Sequence, residues 1–143
     1  MLLAKTKAEE LVQKYQTSDP FALCERMGIP IVKEELPESV RGFSVSIKGR
    51  RIIYLNALLE EEMLRQVCAH ELGHMVLHRQ HNLLIFMMEH TLYVHEKFER
   101  EADQFCAALL IGQEMLGEVT TVQQLAALAG VEERIAALRV TMQ

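Results

Sequence analysis

The chain has 143 residues, half of them hydrophobic, and a formal net charge of −5 at pH 7. This length fits a single compact domain over residues 1–143, and the negative charge argues against direct nucleic-acid binding, which needs clustered Lys and Arg. No apolar run reaches the roughly 18 residues of a membrane span, and the apolar stretch at the N-terminus is too short for a secretion signal. We therefore expect a cytoplasmic protein that does not enter membranes.

The first part of the chain predicts two helices. Residues 4–16 carry apolar side chains on one side at helical spacing. Ser18 or Asp19 then caps a short helix that begins at Pro20 and stops at Gly28.

Short strands follow these helices. Residues 29–33 are a strand candidate, and residues 43–47 alternate between apolar and polar side chains. A turn at residues 48–50 and a second strand over residues 51–55 complete a hairpin. The sequence therefore predicts an α+β fold, with a small antiparallel sheet packed on the next helix.

That next helix carries an H-E-x-x-H motif, formed by His70, Glu71 and His74. At 3.6 residues per turn the two histidines lie one above the other, so both imidazoles can bind one metal ion. Glu71 lies about 100° around the helix, beside the open coordination position. There it can accept a proton from a water molecule bound at that position.

The segment around the motif, residues 60–79, contains no proline and is predicted to be helical throughout. Gly73 inside the motif indicates that another backbone passes close to this helix. The three cysteines, including Cys68 two residues before the motif, form an odd set without C-x-x-C spacing and are expected to be reduced core residues. Apolar residues recur on the side opposite the histidines: Leu64, Cys68, Leu72, Met75 and Val76.

A catalytic zinc ion needs a third protein ligand and an open position for water. The best source is residues 98–111, which predict a second helix with acidic first turns and a nearly continuous apolar second half. Glu99, Glu101 and Asp103 all compete for the ligand role. Helical periodicity does not choose among them, because so much of this helix is apolar.

The two helices together resemble a known family. AHELGHMVLH followed by EREADQFCAALLI is similar to the ImmA/IrrE group of metallo-endopeptidases, whose zinc helix of the HELGH type precedes a helix that begins E-A-D or E-A-N. The resemblance covers residues 42–111, including the I-x-L-N stretch at residues 53–56. One departure follows the Leu-Leu pair, where Ile111 and Gly112 stand in place of the family's Met-Pro.

The resemblance implies a minimal zincin-like fold and one bound Zn²⁺. It implies that His70 and His74 are metal ligands, that Glu71 is the general base, and that Glu101 completes the site. It also implies an intracellular, site-specific protease, often encoded on phages or other mobile elements, whose substrate is a helix-turn-helix repressor. We expect metal-assisted peptide hydrolysis in which Glu71 takes a proton and later delivers it to the leaving amine.

Two other functions remain open at this stage. One is a non-catalytic zinc-containing module that sequesters a repressor, and the other is a metal hydrolase with a small-molecule substrate. Another divalent ion, such as manganese, could also take the place of zinc.

Further features near the motif are considered for a role in the site. Residues 43–47 are a candidate edge strand for an extended substrate, although an ordinary solvent-facing edge fits equally well. The apolar, Met-containing residues 81–95 fit a cleft wall or lid, with core packing favoured. Tyr93 and His95 are candidates for stabilising an oxyanion. His78 lies too far along the helix for joint coordination and is expected to contact the last helical carbonyls.

The C-terminal part, residues 120–140, predicts two short helices joined at Gly130. This arrangement is similar to a helix-turn-helix, but Glu132 and Glu133 stand where a DNA-reading helix would begin. We therefore expect residues 120–143 to form a helical pair that packs on the peptidase domain or docks a partner.

Overall fold

The computed structural model of the chain describes residues 2–78 and 92–143. The described residues form an α+β structure of helices around a small sheet, which confirms the predicted fold class. Its elements, in chain order, are α1 (Leu3–Tyr15), α2 (Pro20–Arg26), β1 (Ile31–Glu34), β2 (Gly42–Ile47), β3 (Arg50–Asn56), α3 (Glu61–Leu77), α4 (Leu92–Leu110), α5 (Gln113–Leu116), α6 (Val122–Ala129) and α7 (Glu133–Val140).

The sheet has the strand order β1-β3-β2. Strands β2 and β3 form the predicted antiparallel hairpin, with Ser44 opposite Ile53, and Lys48 and Gly49 take positive φ angles in its two-residue turn. Strand β1 pairs with β3 in parallel, with Ile31 opposite Ile53, so the sheet is mixed and the expectation of a wholly antiparallel sheet was wrong. The reason is topological: the chain reverses direction twice between β1 and β3, so these two strands run the same way.

Asn56, at the end of β3, holds the loop that connects β1 to β2. Asn56 is buried, and its side-chain amide nitrogen donates to the carbonyls of Leu36 and Val40 at 3.2 and 2.9 Å. Its side-chain oxygen accepts from the backbone N–H groups of Leu36 and Leu58. One residue therefore ties the loop at residues 35–41 to the turn that precedes α3.

Helix α3 carries the H-E-x-x-H motif and packs against α4. A β-carbon added at Gly73 would lie 3.1 Å from the Cβ of Phe105 and 3.2 Å from the carbonyl oxygen of Ala102, both in α4. This confirms the predicted close approach of another backbone. Phe105 and Ala102 of α4 are fully buried at this contact, so close packing against Gly73 sets the distance between the two helices.

Two helix boundaries sharpen the sequence-based expectations. Asp19 caps α2 by accepting a hydrogen bond from the N–H of Phe21 at 3.1 Å. Helix α4 begins at Leu92, earlier than the predicted start at residue 98, because residues 92–97 contain no helix breaker. None of the described helices combines the length and apolarity that crossing a membrane requires.

The C-terminal helices α6 and α7 are joined at Gly130, which has a positive φ of 69°. Thr121 and Gln124 form a capping box at the start of α6. Leu125 of α6 and Ile135 of α7 are buried, the two helices contact each other, and α7 also contacts α4. This contact brings the N-terminal end of α7 close to the polar half of α4.

Candidate metal centre and its cleft

Three potential metal ligands meet between α3 and α4. His70 and His74 lie one turn apart on α3, and their ring centroids are 4.9 Å apart. From α4, Glu99 places Oε2 3.0 Å from Nε2 of His70 and Oε1 2.9 Å from Nε2 of His74. One donor atom from each residue lies within 4.8 Å of the other two, so a single ion could contact all three side chains.

This donor set fits a divalent cation. Two imidazoles and a carboxylate are ligands of many catalytic zinc sites, with bonds of about 2.0–2.2 Å. Ligand atoms at that distance from a common centre lie roughly 3–4 Å from one another. The observed separations of 3.0 and 2.9 Å between Glu99 and the two histidines are close to this range, so small side-chain shifts would admit an ion.

Glu101, which the family resemblance implied as the third ligand, lies elsewhere. Its Oε1 is 3.4 Å from Nε2 of His78. Residues 99 and 101 are about 200° apart around a helix, so the rotation of α4 that directs Glu99 at the histidine pair turns Glu101 away from it. The geometry therefore favours Glu99 over Glu101 as the candidate third ligand.

His78 lies one turn beyond His74. Its backbone N–H donates to the carbonyl of His74 at 2.8 Å, and its ring stacks on Phe98 with centroids 4.0 Å apart. Burial and the neighbouring His74 lower the pKa of the His78 imidazole to about 4, against the opposing effect of Glu101. His78 thus contacts a candidate ligand without joining the group of three.

Hydrogen bonding controls the charge of the cluster. Burial disfavours the cationic form of His70, but hydrogen bonds with Asp103 and Glu99 outweigh it and raise the pKa of His70 to about 10. Burial also opposes ionisation of Glu99, yet hydrogen bonds with His70 and His74 hold the pKa of this carboxyl well below its ordinary value. A cation that binds here at neutral pH must therefore displace a proton from His70.

Glu71 lies in the wall of a cleft of about 340 Å³, which His70, Glu99 and Gly42 also line. Its side chain is mostly buried, and the whole residue is 8% exposed. The Oε2 atom of Glu71 lies 4.0 Å from Nε2 of His70. The carboxylate is thus beside the candidate metal position and borders a space that can admit solvent and substrate.

A chain of polar contacts leads from the centre to α7. Asp103 places Oδ1 2.9 Å from Nδ1 of His70, and its Oδ2 accepts from Nη1 of Arg134 at 2.8 Å. The Nε of Arg134 lies 3.4 Å from Oε1 of Glu132. Glu132 in turn accepts hydrogen bonds from Gln66 at 2.6 Å and from Arg41 at 2.9 and 3.1 Å.

Sequence reasoning did not single out Arg134, Arg41 or Gln66, because only the tertiary structure brings them to the cleft. One local signal favoured Glu99: it stands four residues before Asp103, the same spacing as the two histidines of the motif. Residues four apart share one face of a helix. Two helices that each present one such pair can therefore meet along a single seam.

The proposed lid or core segment lies mostly outside the described residues, as does the side chain of Tyr93. His95 lies half-buried in the first turns of α4. The oxyanion role proposed for either residue stays a prediction.

Comparisons with known proteins identify the family of this chain. A peptidase family model described as an IrrE N-terminal-like domain matches residues 24–141. The chain is 32% identical over 141 residues to a Bacillus phage phi105 protein called "Uncharacterized immunity region protein 2", which covers 96% of this chain and 89% of the phage protein. It is also 27% identical over 116 residues to "Metallopeptidase ImmA" of Bacillus subtilis strain 168, which covers 80% of this chain and 66% of that protein.

The matched region contains both helices of the candidate centre and the sheet beside them. It therefore includes the H-E-x-x-H motif as well as Glu99 and Asp103. From this motif, the geometry around it and the extent of both matches, the chain belongs to the ImmA/IrrE family of metallopeptidases.

Proposed function

We propose that the protein is a zinc-dependent endopeptidase in which His70, His74 and Glu99 hold the ion. The convergence of these three side chains between α3 and α4 carries the proposal. Nitrogen and carboxylate ligands suit zinc, although manganese and other divalent ions accept similar ligands. The bound ion would polarise the scissile carbonyl and make a coordinated water more acidic.

Glu71 is the proton carrier in this proposal. Its carboxylate accepts a proton from the water whose oxygen attacks the carbonyl carbon of the scissile peptide. As the bond between carbon and nitrogen breaks, Glu71 delivers that proton to the leaving amine. The position of Glu71, 4.0 Å from Nε2 of His70 and in the cleft wall, supports this role.

Asp103 is the outer partner of His70. With Nδ1–H of His70 donating to its Oδ1 at 2.9 Å, the lone pair of Nε2 faces the metal position. Carboxylates hold metal-binding imidazoles in this way in many sites, where they fix the tautomer and the ring orientation.

The substrate in this proposal is an extended segment of a helix-turn-helix repressor. Strand β2 is at the sheet edge, and Gly42 at its start lines the cleft, so a substrate backbone could pair with it. The name of the phage relative refers to an immunity region, which fits the repressor substrate that the family resemblance implies. The net charge of −5 fits recognition of a protein rather than of DNA.

We place this activity in the cytoplasm. Cys24, Cys68 and Cys106 are buried free thiols, and unpaired cysteines are typical of proteins that work in a reducing compartment.

The proposed activity is tested with the zinc-loaded protein and a candidate helix-turn-helix repressor, sought first among the proteins encoded beside its gene. We expect cleavage at one peptide bond, measured by electrophoresis and mass spectrometry. Glu71→Gln should retain zinc and reduce the cleavage rate at least about 100-fold, since general acid–base catalysis contributes that much or more. The control Glu61→Gln removes an exposed carboxylate from the same helix and should cleave normally.

Undiminished cleavage by Glu71→Gln would refute its role. Full zinc occupancy without cleavage of the partner would favour a sequestering module, and hydrolysis confined to small compounds would favour the third function considered above.

A second experiment separates the two candidate acids of α4. Glu99→Gln should lower the bound zinc well below one ion per chain, since it removes a charged ligand. Glu101→Gln should retain zinc, because Glu101 contacts His78 instead. Atomic absorption on the purified variants gives the stoichiometry, and the opposite pattern would return the third position to Glu101.

A further inference from the structure

We infer that Arg134, on the C-terminal helix α7, is a positioning residue for the metal ligand His70 and acts through Asp103. The inference rests on the proposed function, because it concerns the ion that His70 would hold. It assigns to the C-terminal helical pair a part in building the centre, in addition to packing.

The contacts run in one direct line. Nη1 of Arg134 donates to Oδ2 of Asp103 at 2.8 Å, and Oδ1 of the same carboxylate is 2.9 Å from Nδ1 of His70. The carboxylate thus uses one oxygen for the imidazole and the other for the guanidinium. Because both oxygens are bound, the Asp103 carboxylate cannot rotate freely about its Cβ–Cγ bond. Its orientation in turn fixes the direction in which Nδ1–H of His70 can donate.

Arg134 is itself held from a second side. Its Nε lies 3.4 Å from Oε1 of Glu132, and Glu132 accepts a hydrogen bond of 2.6 Å from Gln66. The backbone N–H of Glu132 also donates to the side-chain oxygen of Gln66 at 2.8 Å. Gln66 is 3% exposed and stands on α3 one turn before His70.

These contacts form a closed ring that leaves α3 at Gln66 and returns to it at His70. The ring passes through Glu132 and Arg134 of the α7 region and through Asp103 of α4. Gln66 and His70, the two ends of this ring, are on the same rigid helix. The position of the Arg134 guanidinium is therefore set relative to α3, the helix that carries His70. A ring of this kind restricts motion more than a single exposed ion pair does.

The function of Arg134 in this scheme is to orient and not to react. The carboxylate of Asp103 and the ring of His70 separate the guanidinium from Nε2, the atom that would bind the ion. The Arg134 side chain is 54% exposed, so its loss leaves no cavity in the core. We therefore expect removal of Arg134 to weaken metal binding much more than it weakens folding.

The experiment measures the zinc dissociation constant by competition with a chromogenic chelator for the wild type, Arg134→Gln, Asp103→Asn and the double variant. Outer partners of metal-bound histidines contribute roughly 10- to 100-fold in affinity, which is the loss expected for Asp103→Asn. For Arg134→Gln, one contact further out, we expect about threefold to tenfold weaker binding. Arg134→Lys, which keeps the charge, should recover part of the loss.

The double variant is the decisive sample. If Arg134 acts through Asp103, adding Arg134→Gln to Asp103→Asn should weaken zinc binding no further. The control Arg100→Gln removes the same charge from an exposed position on α4 and should leave the dissociation constant unchanged. Circular dichroism and thermal melting of each variant verify that the fold is retained, and Arg134→Lys serves as the test if Arg134→Gln does not fold.

An unchanged dissociation constant in Arg134→Gln would overturn the inference, and so would losses that multiply in the double variant. Either result, with normal zinc binding and cleavage by the wild type, leaves the proposed function intact. A wild-type protein that binds no zinc would instead overturn the proposed function and the inference together.

Discussion

The two faces of helix α3 have opposite chemical characters. One face directs His70 and Glu71 toward the cleft and His74 toward Glu99 of α4. On the other side of the same helix, Leu72 is fully buried and Met75 is 2% exposed. The polar face brings desolvated charged groups together, which costs free energy, whereas the apolar face gains free energy by burial. Neighbouring residues of one helix can thus serve different purposes: those on the polar face form the site, and those on the apolar face stabilise the fold.

The substitution with the largest expected effect on stability is Leu72→Ala, on the apolar face of α3. A fully buried Leu to Ala change should lower the free energy of unfolding by about 2–5 kcal/mol, since it leaves a cavity. Urea denaturation followed by circular dichroism measures the loss. Leu58→Ala is the matched control, because Leu58 is 65% exposed, and it should change stability little.

Protein with Leu72→Ala that remains folded should still bind one zinc ion per chain. A selective loss of zinc, without loss of stability, would show that the two faces are not separable in this way.

Gly73→Ala tests the border between the faces. The added β-carbon would lie 3.1 Å from Phe105 and 3.2 Å from the carbonyl of Ala102, and both neighbours are held in a packed helix. We expect a net destabilisation of about 1–2 kcal/mol, because overpacking outweighs the gain in helix propensity. Thermal melting measures it against Gly117→Ala, whose new β-carbon would meet only an ordinary contact of 3.6 Å. Equal melting temperatures for the two variants would contradict the proposed close packing.

The smallest expected effect is at the rim of the polar face, where Arg41 binds Glu132 through two hydrogen bonds. Arg41→Gln should cost about 0.2–1 kcal/mol, as is usual for partly exposed ion pairs. The hydrogen bonds with Arg41 lower the pKa of Glu132 despite partial burial. This contribution is therefore fully present above the ordinary pKa of 4.5 and is lost as the pH falls through the lower folded value.

Urea denaturation at pH 7 and at about pH 3 should show a difference between Arg41→Gln and the wild type that shrinks at the lower pH. Arg50→Gln, at the exposed first position of β3, is the control. A difference that grows on acidification would contradict the assigned sign.

Local sequence patterns predicted the elements that depend on local spacing. The helical period placed His70 and His74 on one face of α3, and the strand alternation gave the hairpin. The parallel pairing of β1 with β3 was not predictable, because it depends on how the chain crosses between strands. The choice of Glu99 over Glu101 depends on the rotation of α4 against α3, which the continuous apolar sequence of α4 does not determine. Arg134 is some thirty residues from its partner Asp103 in sequence, so no local pattern could connect them.

The tether made by Asn56 has a consequence for how such an enzyme could diversify. Asn56 forms hydrogen bonds with main-chain atoms of the loop at residues 35–41. Nearly every amino acid supplies the same main-chain donors and acceptors, so these bonds do not depend on the side chains of the loop. Ser39 and Arg41 of this loop border the cleft. We expect that side chains along this rim can be exchanged during evolution, redirecting the peptidase to new targets, while the ion-holding helices keep their places.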